Sequence, residues 1–156
     1  GPVTLSNYLP DSGSQRDIVD QCSSHQSVRR NVYDADLAAL GRLAAGNRLT
    51  ELHTLDLSKT DITDTGLAYI QDLPGVRFLF LRGTSVTDAG LMCIIRLKKI
   101  EWLDLSETDV TAAGVRLLSD LPALKVLYLE KTVRTTQSVW QLIVNCFPEH
   151  DLEIVL

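Results

Sequence analysis

The chain has little of what staples, anchors or chemically arms a protein. Its 156 residues include only three cysteines, Cys22, Cys93 and Cys146. An odd, widely spaced set without a Cys-x-x-Cys pair supplies neither a disulfide framework nor a zinc site. Cys93 and Cys146 fall among apolar helix-type residues and read as small buried hydrophobes of a reducing compartment, so an intracellular, cytoplasmic location is expected. No apolar run approaches the ~20 residues of a membrane span, and the first residues lack the charged-then-apolar order of a signal peptide. Basic charge is in deficit: 15 Lys and Arg against 20 Asp and Glu leave a net charge of −5. That balance argues against nucleic acid or an anionic membrane as a general partner, because either needs a basic footprint.

Catalytic patterns are missing too. The histidines, His25, His53 and His150, stand in separate segments with no His-x-x-x-His spacing. There is no Gly-x-x-x-x-Gly-Lys phosphate loop and no Gly-x-Ser-x-Gly elbow. No catalytic residue, metal site or cofactor is expected. Gly1-Pro2 has the form of a scar left by tag removal, so the natural polypeptide is expected to extend further. With 45% hydrophobic residues, a chain of this length buries one core and not two, so one domain is expected.

What the chain does have is a repeat. Leu52-His-Thr-Leu55-Asp-Leu57-Ser-Lys-Thr60-Asp-Ile62-Thr63-Asp64-Thr-Gly66-Leu67 returns as Val76-Arg-Phe-Leu79-Phe-Leu81-Arg-Gly-Thr84-Ser-Val86-Thr87-Asp88-Ala-Gly90-Leu91. It returns again as Ile100-Glu-Trp-Leu103-Asp-Leu105-Ser-Glu-Thr108-Asp-Val110-Thr111-Ala-Ala-Gly114-Val115. A fourth copy, Leu124-Lys-Val-Leu127-Tyr-Leu129-Glu-Lys-Thr132, begins in register and then decays. A fixed period of this size implies a stacked architecture.

Each Leu-x-Leu places two leucines on one face of a short strand and the residue between them on the other. Thr63-Asp64 and Thr87-Asp88 then supply helix N-caps and a negative charge at the positive end of the dipole. Leu67, Ile70 and Leu73, then Leu91, Ile94 and Leu97, then Val115, Leu118 and Leu121 form an apolar stripe behind the sheet. Pro74 and Pro122 end two of these helices. The hydroxyls of Thr60, Thr84, Thr108 and Thr132 are expected to bond the backbone of the neighbouring turn. Gly66, Gly90 and Gly114 are expected to permit close stacking between repeats.

This pattern resembles the leucine-rich-repeat family. Its Ile-Thr-Asp-x-Gly-Leu tail is similar to the intracellular subtype of F-box-associated proteins, with Thr where that subtype carries Cys. The resemblance covers about residues 49–156 and implies an α/β solenoid, a right-handed β-α superhelix with a parallel sheet on the concave face and helices on the convex face. It also implies a non-enzymatic scaffold for protein binding, or alternatively the substrate-recognition part of a ubiquitin-ligase adaptor.

A stack of repeats needs terminal units with a polar outer face. Residues 1–13 read as scar and flexible lead-in, 14–48 as an N-terminal capping region, 49–133 as the repeats, and 134–156 as a degenerate last repeat and C-terminal cap. In the N-terminal region Ile18, Val19 and Cys22 suggest a short helix. Asp34 or Asp36 is expected to cap a helix carrying Leu37, Leu40 and Leu43 as far as Gly46. At the other end Arg134 replaces the usual Ile or Val, Ser138 replaces the Gly, and residues 152–154 read as a last edge strand.

The outward strand positions carry the functional signal, because repeat packing leaves them free. The position before the first strand leucine of each copy gives Thr54, Phe78, Trp102 and Val126. The position between the leucines gives Asp56, Phe80, Asp104 and Tyr128. The next outward position gives Ser58, Arg82, Ser106 and Glu130. Four of the nine aromatics, Phe78, Phe80, Trp102 and Tyr128, therefore fall on one face of three consecutive strands, where a spacing of ~4.8 Å makes them one patch. Asp56, Asp104, Arg82 and Glu130 are expected to form its polar rim. Such a composition points to a protein partner, an extended peptide or a helix, held by the sheet. Two alternatives stay open: the N-terminal segment folds across the sheet, or the aromatics pack on one another. Single-stranded nucleic acid stacked on the aromatics is a further alternative, opposed by the acidic residues among them. Trp102, directed away from the leucine core, is expected to be replaceable without loss of the fold.

Overall fold

The structure, a computed structural model, describes residues 32–45, 49, 51–132, 141, 143–147 and 152–156. The expected lead-in, the helix around Ile18, Val19 and Cys22, and the departures at Arg134 and Ser138 lie outside the described residues.

Each repeat contributes a three-residue strand. β1 (Thr54–Asp56), β2 (Phe78–Phe80), β3 (Trp102–Asp104), β4 (Val126–Tyr128) and β5 (Glu153–Val155) form one five-stranded sheet in sequence order. All neighbours run parallel. The repeat period sets the register: Thr54 pairs with Phe78, Phe78 with Trp102, and Trp102 with Val126. The expected edge strand over 152–154 is shifted by one residue, because pairing Val126 with Glu153 places Ile154 beside Leu127.

Between strands the chain returns through a helix. α1 (Asp34–Ala45) precedes the repeats, and α2 (Asp64–Ile70), α3 (Asp88–Ile94) and α4 (Ala112–Leu117) follow β1, β2 and β3, the last running on into a 3-10 turn over Leu118–Asp120. The hydroxyls of Thr63, Thr87 and Thr111 accept the N–H groups of Thr65, Ala89 and Ala113 at 3.2, 3.3 and 3.2 Å. Helices of six or seven residues are marginal alone. Their buried stripe holds them: Leu67, Ile70, Leu73, Leu91, Ile94, Leu97, Val115, Leu118 and Leu121 are at most 3% exposed. Against them lie Leu55, Leu79, Leu103 and Leu127 from the strands, each at most 1% exposed. The described residues form an α/β solenoid of stacked repeats, with a parallel sheet on one face, helices on the other and one continuous core between.

The N-terminal helix starts differently from expectation. Asp34 and Asp36 both lie inside the first turn, so neither precedes the helix as its cap. Asp36 instead reaches back, its Oδ2 accepting the Tyr33 N–H at 2.9 Å in the manner of a capping box. Asp34 serves the next repeat: its carboxylate accepts the backbone N–H of Thr63 at 2.9 Å and the Thr63 hydroxyl at 2.5 Å. The same rung recurs between Asp64 and Thr87 and between Asp88 and Thr111. The glycines make room for it. A Cβ on Gly66, Gly90 or Gly114 would strike Oδ1 of Asp34, Asp64 or Asp88 respectively.

The threonine hydroxyls also differ. Those of Thr60, Thr84 and Thr108 donate within their own turn, to the carbonyls of Leu57, Leu81 and Leu105 at 2.6, 2.7 and 2.6 Å. Only Thr132 reaches the neighbouring repeat, donating to Leu105 O at 2.5 Å. The cause is a tight turn after each strand, in which Lys59, Gly83, Glu107 and Lys131 all take left-handed backbone, with φ of 57°, 67°, 56° and 55°. That turn folds the hydroxyls of Thr60, Thr84 and Thr108 back onto the carbonyl three residues earlier.

Candidate functional site

The sheet face is built by alternation. In β2 to β4 the central leucine is buried and the residues on either side are half-buried. Phe78, Phe80, Trp102 and Tyr128 thus come to one face, as the leucine spacing predicts. Three of them form a row of touching rings. Trp102 stacks on Tyr128 with centroids 5.9 Å apart and planes 3° from parallel, and its other side meets Phe78 at 6.4 Å and 50°. Such pairs contribute about 0.5–1.5 kcal/mol each beyond burial. The Tyr128 contact is diagonal, since its register partner on β3 is Asp104. Phe80 stands outside these ring contacts, between Asp56 and Asp104 in register.

The cross-strand packing that the sequence left open is therefore realised for three of the four aromatics. Trp102 is also less separable from the fold than expected. It is half-buried, and its indole Nε1–H is shut away from water with no acceptor among the described residues.

The rim residues have partners of their own. Oδ1 of Asp56 accepts the Ser58 N–H at 2.9 Å, and Oδ1 of Asp104 accepts the Ser106 N–H at 2.9 Å. Both are Asx turns ending their strands. Ser106, expected to face outward, is fully buried. The turn draws it in, where its hydroxyl accepts the Glu130 N–H at 3.2 Å. Arg82 bridges two acids, with Nη1 on Glu130 Oε2 and Nη2 on Glu107 Oε1, each at 2.8 Å. The hydrogen bond with Glu107 holds the guanidinium above its ordinary value and the Glu107 carboxyl below the usual carboxylate range. Lys131 approaches Glu107 at 3.7 Å.

A second charged row runs along the start of the strands. Glu101 takes Arg77 on one side and Lys125 on the other, the latter at 2.9 Å. The hydrogen bonds from Lys125 and then Arg77 lower its pKa. Arg77 also lies over the Phe78 ring, 5.8 Å from its centroid. Sequence reasoning missed this row, although charges of alternating sign at the repeat spacing were the signal for it. It missed Glu107 too, which reaches Arg82 only through its left-handed turn.

Cys93 is a free thiol, and Cys93 and Cys146 both lie partly buried against the core. Burial pushes the Cys93 thiol up, a thiol less ready to react. Cys22, His25 and His150 lie outside the described residues. Among the described residues no group of three or more His, Cys, Asp and Glu is placed to hold a metal ion. No helix among them is long and apolar enough to cross a membrane.

A family model described as Leucine Rich repeat matches residues 49–70. No curated protein sequence matches the chain. Among solved structures, an internalin from Listeria monocytogenes is similar at 13% identity and a TM-score of 0.48, over 81% of this chain and 38% of that one. The chain thus spans well under half the length of that protein.

Proposed function

We propose that this chain is a non-enzymatic protein-interaction module that holds a partner protein on its sheet face. The observation that carries the reading is the row Phe78, Trp102 and Tyr128, half-buried across three consecutive strands on the side that none of the described helices covers. A contiguous aromatic strip on a rigid sheet is the composition of an interface hot spot, since Trp and Tyr bring large area at small entropic cost. The buried Trp102 N–H supports it from the stability side. An unsatisfied donor costs about 1–3 kcal/mol, and a phenylalanine would fill much of the site without that cost. A tryptophan at that position fits a residue that serves binding rather than stability. Carboxylates at Asp56, Asp104 and Glu130 among the aromatics disfavour a phosphate backbone as the ligand.

Calorimetry against the protein that co-purifies with the chain tests this. Trp102→Ala and, independently, Tyr128→Ser are expected to weaken that complex by ~2 kcal/mol or more, as loss of a central anchor does. Lys99→Ala, at an exposed turn on the far end of α3, is expected to leave it unchanged. Unchanged affinity in both aromatic variants, with folding verified by circular dichroism, overturns the reading.

A further inference from the structure

Most charges on and around the sheet face are neutralised within the molecule. Arg82 is shared by Glu107 and Glu130, Lys131 approaches Glu107, and Arg77 and Lys125 both hold Glu101. On β1 and β3 Asp56 and Asp104 are exceptions. Each uses one carboxylate oxygen to accept a backbone N–H from its own turn, and among the described residues neither takes part in an ion pair. Their positions are fixed by register: Asp56 pairs with Phe80, and Phe80 with Asp104. Two uncompensated carboxylates thus flank one phenyl ring, about two strand spacings or ~10 Å apart. Of the four sheet aromatics Phe80 is also the one that meets no other ring among the described residues, whereas Phe78 lies under Arg77 and against Trp102.

Resting on the reading of the sheet face as a partner-binding surface, we infer that the row Asp56, Phe80, Asp104 receives a basic side chain of the bound protein, with arginine the best fit. The electron-rich ring face attracts a cation, and a planar guanidinium stacks on it more readily than a hydrated ammonium. The two free carboxylate oxygens then lie to either side of the ring for charge-assisted hydrogen bonds. Seating the cation there leaves the aromatic row to take an adjoining apolar side chain. The partner is therefore a segment in which an arginine or lysine stands close to a large apolar residue. The chain's net charge of −5 favours its approach.

Selection from a random peptide library, on the wild-type chain and on an Asp56→Asn/Asp104→Asn double variant, tests the inference. Asparagine keeps the oxygen that accepts the turn N–H, so the strands and turns survive and only charge is lost. The wild type is expected to enrich peptides carrying Arg or Lys beside an apolar residue. The double variant is expected to lose the basic preference and keep the apolar one. For one enriched peptide, replacing its arginine by neutral citrulline is expected to weaken binding to the wild type tenfold or more, and to change binding to the double variant by less than twofold. Peptides without a basic excess, or an excess that survives in the double variant, overturn the inference while leaving the aromatic reading standing. Equal enrichment on the wild type and on folded Trp102→Ala removes both.

Discussion

The carboxylate of Asp88 accepts two hydrogen bonds from Thr111, one repeat further on: the backbone N–H at 2.7 Å and the hydroxyl at 2.6 Å. The same hydroxyl accepts the N–H of Ala113, the second residue of α4. Each aspartate is thus tied to the cap of the next helix, and the helix layer is stitched from repeat to repeat. Gly114 is part of the device, because a Cβ there would strike Asp88 and sit 3.0 Å from Leu91 Cδ1.

Coupling between those two positions is the first prediction. Gly114→Ala alone is expected to destabilise by about 2 kcal/mol through the forced contact, and Asp88→Ala by about 1–2 kcal/mol through the lost rung. In the double variant the alanine has space where the carboxylate stood. The two changes together are expected to cost less than their sum by more than about 0.5 kcal/mol in urea unfolding. Additive costs would show that the glycine has a different purpose.

The left-handed turns give the second. Lys59 holds φ of 57° in the column where Gly83 holds 67°, and a side chain in that region costs roughly 1 kcal/mol. Lys59→Gly is expected to raise stability by up to about 1 kcal/mol. Gly83→Ala is expected to lower it, even though the nearest atom to its added Cβ lies at an ordinary contact distance of 3.5 Å. Thermal melts moving in the opposite directions would contradict the turn geometry.

These examples show what the sequence makes legible. Leucines two apart, stripes three apart and Thr caps are local patterns read directly as strand, helix and cap, and they place Phe78, Phe80, Trp102 and Tyr128 on one face. The Asp88 to Thr111 rung is not local, since it joins residues 23 apart whose proximity exists only once the repeats stack. The left-handed column was disguised by Lys59, Glu107 and Lys131, three residues that rarely choose that backbone, with Gly83 as the single hint. The stacking of Tyr128 on Trp102 rather than alongside Phe80 depends on side-chain rotation, which residue spacing does not determine. Ser106 misled because an outward position in the repeat became the inner side of a turn.

Core packing gives a blunt prediction. Ile94 is 1% exposed in the middle of α3, so Ile94→Asp buries a charge with no partner and is expected to unfold the chain. A cooperative melt near the wild-type temperature would refute the register.

Acid sensitivity follows from Glu101 and Glu107, both held below the ordinary carboxylate range. A depressed folded-state pKa means that each contributes its full stabilisation above the unfolded value of about 4.3 and loses it as pH falls through the lower folded one. Stability is therefore expected to decline from about pH 5 downward, and Glu101→Gln to flatten that limb. High salt should reduce the effect, because the pairs are partly exposed. A limb unchanged by the substitution would assign acid sensitivity elsewhere.

The last prediction separates stability from binding at Trp102. Its indole ring packs between Phe78 and Tyr128, so Trp102→Ala removes two ring contacts and is expected to lower stability by about 1–3 kcal/mol. Trp102→Phe keeps an aromatic in the row, loses some area, and deletes the buried N–H that has no acceptor. The area lost and the desolvation cost relieved are of similar size, about 1–2 kcal/mol each. Trp102→Phe is therefore expected to melt within a few degrees of wild type while still weakening the partner, because phenylalanine presents a smaller anchor. If Trp102→Phe melts as low as Trp102→Ala, the N–H is no burden to the folded chain. If it melts like wild type and binds like wild type, the tryptophan is a packing residue of the sheet, and the partner's anchor has to be sought at Phe80 or Tyr128 instead.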